Sequence, residues 1–119
     1  MNNYNRGLWA EFLARMYMRM HGYQILQERY KSGRGTGAGE IDFIALRRHT
    51  IVFVEVKERN DFSTAAYAIS ETQKKRLYNG AKNFIKHNPQ YKNHDMRFDA
   101  ILLVFPWRIR HLENIVIDN

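Results

Sequence analysis

Gly39-Glu40-Ile41-Asp42-Phe43-Ile44-Ala45-Leu46 and, after Arg47-Arg48-His49-Thr50, Ile51-Val52-Phe53-Val54-Glu55-Val56-Lys57 are the stretches on which the fold turns. Both are short and rich in β-branched and aromatic residues, as strands are. The polar break between them has the length of a hairpin loop. With Leu46 opposite Ile51, an antiparallel register places Asp42 opposite Glu55 and Glu40 opposite Lys57. Residues two apart share a face, so Asp42, Glu55 and Lys57 point the same way as Ile44, Leu46, Ile51 and Phe53. Like charges directly opposed at about 4.5–5.5 Å are destabilising. Acids set among buried apolar side chains are normally paired or bind metal. Two such carboxylates suit a hard divalent cation, and the Lys57 ammonium beside them could hold a reacting water or a phosphate oxygen. The competing reading is the solvated face of an ordinary hairpin, and a one-residue slip would move Asp42 off Glu55.

Asp42, followed on the next strand by Glu55-Val56-Lys57, resembles the core of the PD-(D/E)XK (restriction-endonuclease-like) nucleases. The fuller pattern of Gly39-Glu40-Ile41-Asp42, Phe53-Val54-Glu55-Val56-Lys57 and Arg97-Phe98-Asp99 resembles the YraN-type family of small bacterial proteins. That resemblance runs from Gly7 to about Ile115. It implies an α/β fold with a helix, a three-strand meander, a second helix and a further strand, the mixed central sheet flanked by helices. The same order is independently a sensible two-layer α/β packing.

Composition is consistent with this. A chain of 119 residues with 45% hydrophobic content is expected to form one domain over 1–119. The absence of cysteine removes disulfides, thiolate metal sites and cysteine nucleophiles, and suits a cytoplasmic protein. No apolar run reaches the roughly 20 residues of a membrane span. The formal charge of +7 favours polyanionic partners, nucleic acid above all. Acids gather at the hairpin while bases are spread around it, as a phosphodiester substrate would want. The five histidines show no metal-ligand spacing, and no serine–histidine–acid cluster is legible.

Around the hairpin, a first helix is expected from Asn5 as cap to about His21, stopped by Gly22. Leu8, Trp9, Phe12, Leu13, Met16, Tyr17 and Met20 form its broad apolar face. Gly7, Ala10 and Ala14 form a small-residue face, and Glu11, Arg15 and Arg19 the remainder. Glu11 either pairs with Arg15 at i,i+4 or, as the resemblance implies, stands at the metal edge. Tyr23 to Lys31 reads as an irregular strand. The Gly-rich run from Ser32 to Gly39 reads as a connector carrying Arg34 near the site. It is not a phosphate-binding Walker loop. Ser70-Glu71-Thr72-Gln73 fits a capping box opening a second helix, with Leu77, Ala81, Phe84 and Ile85 buried and Pro89 beyond its end. Gln73 then faces inward, and related nucleases suggest contact with a metal-site water or a phosphate. Lys74, Lys75, Arg76, Lys82 and Lys86 are a solvated face and a candidate track for DNA phosphates. Arg97 to Phe105 reads as a strand, with Asp99 bonded to Arg97, and Ile115-Val116-Ile117 as a short edge strand.

Taken together, the resemblance implies a metal-dependent endonuclease. Asp42, Glu55 and the carbonyl of Val56 would hold Mg²⁺ or Mn²⁺, with Glu11 as a further candidate ligand. Lys57 would orient the attacking water, and Gln73, Glu11 and Glu40 would support it. DNA is expected as substrate ahead of RNA. Analogy with Holliday-junction resolvases suggests branched DNA and a homodimer. A nucleic-acid-binding module that does not cut is the alternative.

Overall fold

A computed structural model describes residues 2–33, 38–61, 69–104 and 108–115. Two helices and five strands follow in the order α1 (Asn3–Met20), β1 (Gln24–Ser32), β2 (Gly39–Arg47), β3 (Thr50–Arg59), α2 (Glu71–His87), β4 (Asp95–Val104) and β5 (Arg108–Leu112). The strands form one sheet in the order β1-β2-β3-β4-β5. β1, β2 and β3 are an antiparallel meander. β4 lies parallel to β3, and α2 supplies the crossover such a pair requires.

The β2–β3 register is the expected one, with Leu46 opposite Ile51 and rungs continuing to Phe43–Val54. The hairpin is tighter than the sequence suggested. Arg47 pairs with Thr50, so only Arg48 and His49 form the turn, and Arg48 takes a left-handed φ of 56°. The recorded rungs stop at Phe43–Val54. Asp42–Glu55 and Glu40–Lys57 are therefore not rungs of this ladder. The β2 alternation also slips at this point. Ile41 and Ile44 both pack into the α2-side core, while Phe43 packs on the α1 side.

Alternate residues of the sheet feed two cores, one under each helix, so the packing has three layers rather than two. Phe43, Ala45, Val52, Val54, Val56, Ile101 and Leu103 meet Ala10, Ala14 and Met18 of α1. Ile41, Ile44, Ile51 and Phe53 meet Leu77, Ala81 and Phe84 of α2. The α2 capping box is present, with the Gln73 amide N–H donating to Ser70 Oγ at 3.1 Å and Ser70 N–H to Gln73 Oε1 at 2.9 Å.

Helix α1 departs from expectation. Asn2, not Asn5, is its cap, accepting the Asn5 amide at 2.8 Å. The sheet takes the small-residue face, and Trp9, Phe12, Met16 and Met20 stay at least 39% exposed. Small side chains let the helix backbone lie close to the sheet, an advantage that a wheel plot of hydrophobicity does not weigh. β5 is Arg108–Leu112, paired to β4; of the edge strand expected at 115–117 only Ile115 is described, its amide donating to the Phe98 carbonyl at 2.7 Å. Residues 116 and 117, Arg34 and Phe105 lie outside the described residues.

Arg97 and Asp99 have a structural role. Asp99 is fully buried, held by Arg97 Nε and Nη2 at 2.9 Å each, by His111 Nε2 at 2.7 Å and by the Asn114 amide at 2.9 Å. Burial alone would raise its pKa. The hydrogen bonds from His111, Arg97 and Asn114 outweigh that and hold it below the usual carboxylate range. The cluster ties β4, β5 and the following turn together on the α1 side.

Helix α2 is seated by two glycines. A Cβ on Gly39 would lie 2.4 Å from the Gly80 Cα and nitrogen, and one on Gly80 would lie 2.8 Å from Ile41 Cγ1. Gly39→Ala therefore meets backbone and should destabilise the fold by about 3 kcal/mol or more. The Cβ of Gly80→Ala meets Ile41, a fully buried β-branched side chain, and lies 3.3 Å from the Glu40 backbone nitrogen, so the gain of about 1 kcal/mol in helix propensity offsets only part of the overpacking. It should lose about 1–2 kcal/mol, less than Gly39→Ala. Urea unfolding of the two variants checks the order, and equal losses would contradict the close approach.

Candidate functional site

A cleft of about 240 Å³ opens where the β2–β3 ladder ends, walled by both helices. Gly7, Ala10 and Glu11 come from α1, Glu40 and Asp42 from β2, Glu55, Val56, Lys57 and Glu58 from β3, and Gln73 and Arg76 from α2. The residues singled out at the hairpin thus share one cavity with Glu11 and Gln73, as the sequence suggested. Ala10, 2% exposed, lets α1 approach, and the Gly39–Gly80 contact seats α2 against β2.

Asp42 is positioned by the backbone of the neighbouring strand. The Val56 amide donates to Asp42 Oδ2 at 2.7 Å. Lys57 Nζ lies 3.2 Å from Glu55 Oε1, with both side chains at most 16% exposed. Burial raises the Asp42 pKa, and the negative charges of Glu11 and Glu40 add to it. The Val56 hydrogen bond and Lys57 pull the other way, leaving it at about 6. Burial likewise raises Glu55, reinforced by the charge of Asp42 and opposed by Lys57, to about 7. Two buried carboxylates whose ionisation is disfavoured are a donor set that gains from a divalent cation.

Among the described residues no three acidic or histidine side chains converge closely enough to cage a metal by themselves. The arrangement offers two carboxylates and a strand backbone, which is what a Mg²⁺-type site takes when water and substrate supply the rest. Glu11 lines the cleft but does not pair with Arg15. It accepts from Arg29 Nε at 3.3 Å, while Arg15 pairs with Glu28 at 3.4 Å. Gln73 uses its Oε1 in the helix cap, so what it can offer the cleft is its amide NH₂, a donor suited to a phosphate oxygen.

Of the candidate phosphate-binding residues, Arg76 is at the cleft, 3.8 Å from Glu40. Lys74 pairs with Glu71 at 3.3 Å, Lys82 lies over the Tyr78 ring and Lys75 is exposed. None of these three lines the cleft. Sequence reasoning missed Glu58, which is in the cleft and pairs with Arg6, and it missed Arg29. Neither carries a local signal, since each acquires its partner only through tertiary contact.

The raised carboxylates carry a stability signature. A carboxyl whose folded pKa exceeds its unfolded one favours folding below the ordinary value, and that contribution is lost as pH rises through the folded value. For this pair the window runs from about 4 to about 7. Asp42→Asn keeps an acceptor for the Val56 amide and cannot ionise. In metal-free buffer it should match wild type near the acid end of the window and exceed it by about 1–3 kcal/mol above it. Denaturant unfolding across that range checks this. A variant less stable than wild type at neutral pH would show that the crowding is absent.

With the geometry in place, comparison with known proteins gives the relationship. Residues 10–103 match the family model described as "Uncharacterised protein family UPF0102". A UPF0102 protein of Paramagnetospirillum magneticum is 42% identical over 108 residues, covering 90% of this chain and 83% of that protein. One from Nitrobacter winogradskyi is 40% identical over 110 residues, 92% of this chain and 89% of its own. One from Bradyrhizobium diazoefficiens is 39% identical over 100 residues, 84% and 72% respectively. The chain therefore belongs to the uncharacterised protein family UPF0102, the YraN-type family that its strand motifs resemble.

Proposed function

We propose that this protein is a divalent-metal-dependent nuclease of the PD-(D/E)XK kind that hydrolyses phosphodiester bonds in DNA, branched DNA being the substrate that the resolvase analogy favours. The observation that carries the reading is the convergence of Asp42, Glu55 and Lys57 in one cleft, with both carboxylates raised by burial, Glu55 further by the charge of Asp42, and Asp42 by those of Glu11 and Glu40. Asp42 and Glu55, with the Val56 carbonyl, would hold Mg²⁺ or Mn²⁺. A divalent cation there supplies positive charge opposite the scissile phosphate and eases ionisation of a water.

The chain's own residues do the rest. Val56 N–H holds Asp42 in one orientation. Lys57 offers a buried ammonium to the attacking water or to the charge that develops on the phosphate. Gln73 and Arg76 bring donors from α2 to the same side, where a phosphate oxygen would lie. The +7 charge draws a polyanion to the surface around the acids.

Incubation with linear, flapped and four-way-junction DNA in Mg²⁺ or Mn²⁺ tests the reading. Wild type should cut, and Lys57→Ala and Glu55→Ala should each lose on the order of 10²-fold or more. Calorimetry should show Mn²⁺ binding to wild type and Lys57→Ala and its loss in Glu55→Ala. Salt-sensitive DNA binding without cutting in any metal would favour the non-cutting module instead.

A further inference from the structure

We propose that a second, smaller cavity beside the cleft is a phosphate-binding subsite, in which Arg29 and Lys31 hold the backbone phosphate next to the one being cut. This rests on the nuclease reading above. The cavity, about 130 Å³, is lined by Arg29, Tyr30 and Lys31 of β1 with Glu11, Glu40 and Asp42. It shares those three acids with the reaction cleft, so the two form one groove running across β2 onto β1.

The backbone of Arg29 is the first sign. Its φ is 51°, in the middle of a strand, between the Tyr30–Ile41 and Glu28–Phe43 rungs and beside Asp42. A residue with a Cβ takes that conformation against a steric penalty that glycine escapes. The turn brings the guanidinium to the α1 side, where only Nε is engaged, in a long 3.3 Å hydrogen bond to Glu11. The side chain is 52% exposed, and its other four donors have no partner among the described residues. A guanidinium held by one hydrogen bond, with its fork free beside a cavity, is arranged for two-point contact with a phosphate.

The acids of the cavity do not forbid an anion, because each is answered. Glu40 faces Arg76, Glu11 faces Arg29, and Asp42 takes the Val56 amide and would share the metal. Lys31 makes no ion pair among the described residues, so its charge is uncommitted. Glu11 then acts as a holder for Arg29. It keeps the guanidinium in place in the free protein and yields it to a phosphate on binding.

Binding of fluorescein-labelled duplex and junction DNA in Ca²⁺, titrated against salt, tests this. Arg29→Gly removes the guanidinium and relieves the backbone. It should melt no lower than wild type, bind more weakly, and show a log–log salt slope smaller by about 1. Lys31→Ala should lower the slope similarly, and Glu11→Gln should tighten binding. In the cleavage assay Arg29→Gly should raise KM with kcat little changed. A wild-type slope and KM in Arg29→Gly overturn the subsite. So does a fall in melting temperature with the slope unchanged, which would make the Glu11–Arg29 pair a structural tie. If wild type cuts while Arg29→Gly keeps its slope, only the subsite fails. If wild type binds no DNA, the nuclease reading and the subsite fall together.

Discussion

The Val56 amide bonded to the Asp42 carboxylate is the contact on which the cleft depends. Two neighbouring strands cannot simply separate inside a protein, because each peptide group left behind is a buried donor or acceptor without a partner. Here the rungs end at Phe43–Val54, and the next strand donor is satisfied by a side chain instead of a carbonyl. That substitution lets β2 and β3 stop pairing with no donor orphaned at Val56. It also fixes a carboxylate at the point of opening. The two helices then close the space, α1 over its small residues and α2 over the Gly39–Gly80 contact.

The molecule contains two buried carboxylate environments of opposite design. Asp99 receives a bidentate arginine, a histidine and a backbone amide, and its acidity increases. Asp42 and Glu55 share one lysine and one amide between them and crowd each other, and their acidity decreases. The first arrangement is complete and serves to tie strands. The second leaves lone pairs and charge unanswered. The two environments thus differ in the number of donors each carboxylate receives, and not in the residue type.

Much of this was legible from local pattern. The hairpin register follows from period-two alternation around a short polar break, and it is correct through Phe43–Val54. The Ser70–Gln73 box follows from spacing alone. What the sequence did not disclose depends on distant surfaces. The slip at Asp42 lies beside the left-handed Arg29 of β1, and neither irregularity follows from alternation. On α1 the sequence offered both a broad apolar face and a small-residue face, and only tertiary packing shows that the sheet takes Ala10 and Ala14 while Trp9, Phe12 and Met16 stay exposed. Glu11 has Arg15 one helical turn away, yet its partner comes from a strand 18 positions away. The close contact of Gly39 with Gly80 has no local signal, since the two meet only through tertiary packing.

The kink at Arg29 has a consequence for the outer border of the sheet. β1 is an end strand of nine residues, and an end strand that long and flat invites another polypeptide to extend it. A left-handed residue in its middle interrupts the row of amides and carbonyls, and exposed Gln27, Glu28, Arg29 and Lys31 place polar and charged side chains along the same margin. The β1 margin is thereby a poor template for edge-to-edge strand pairing.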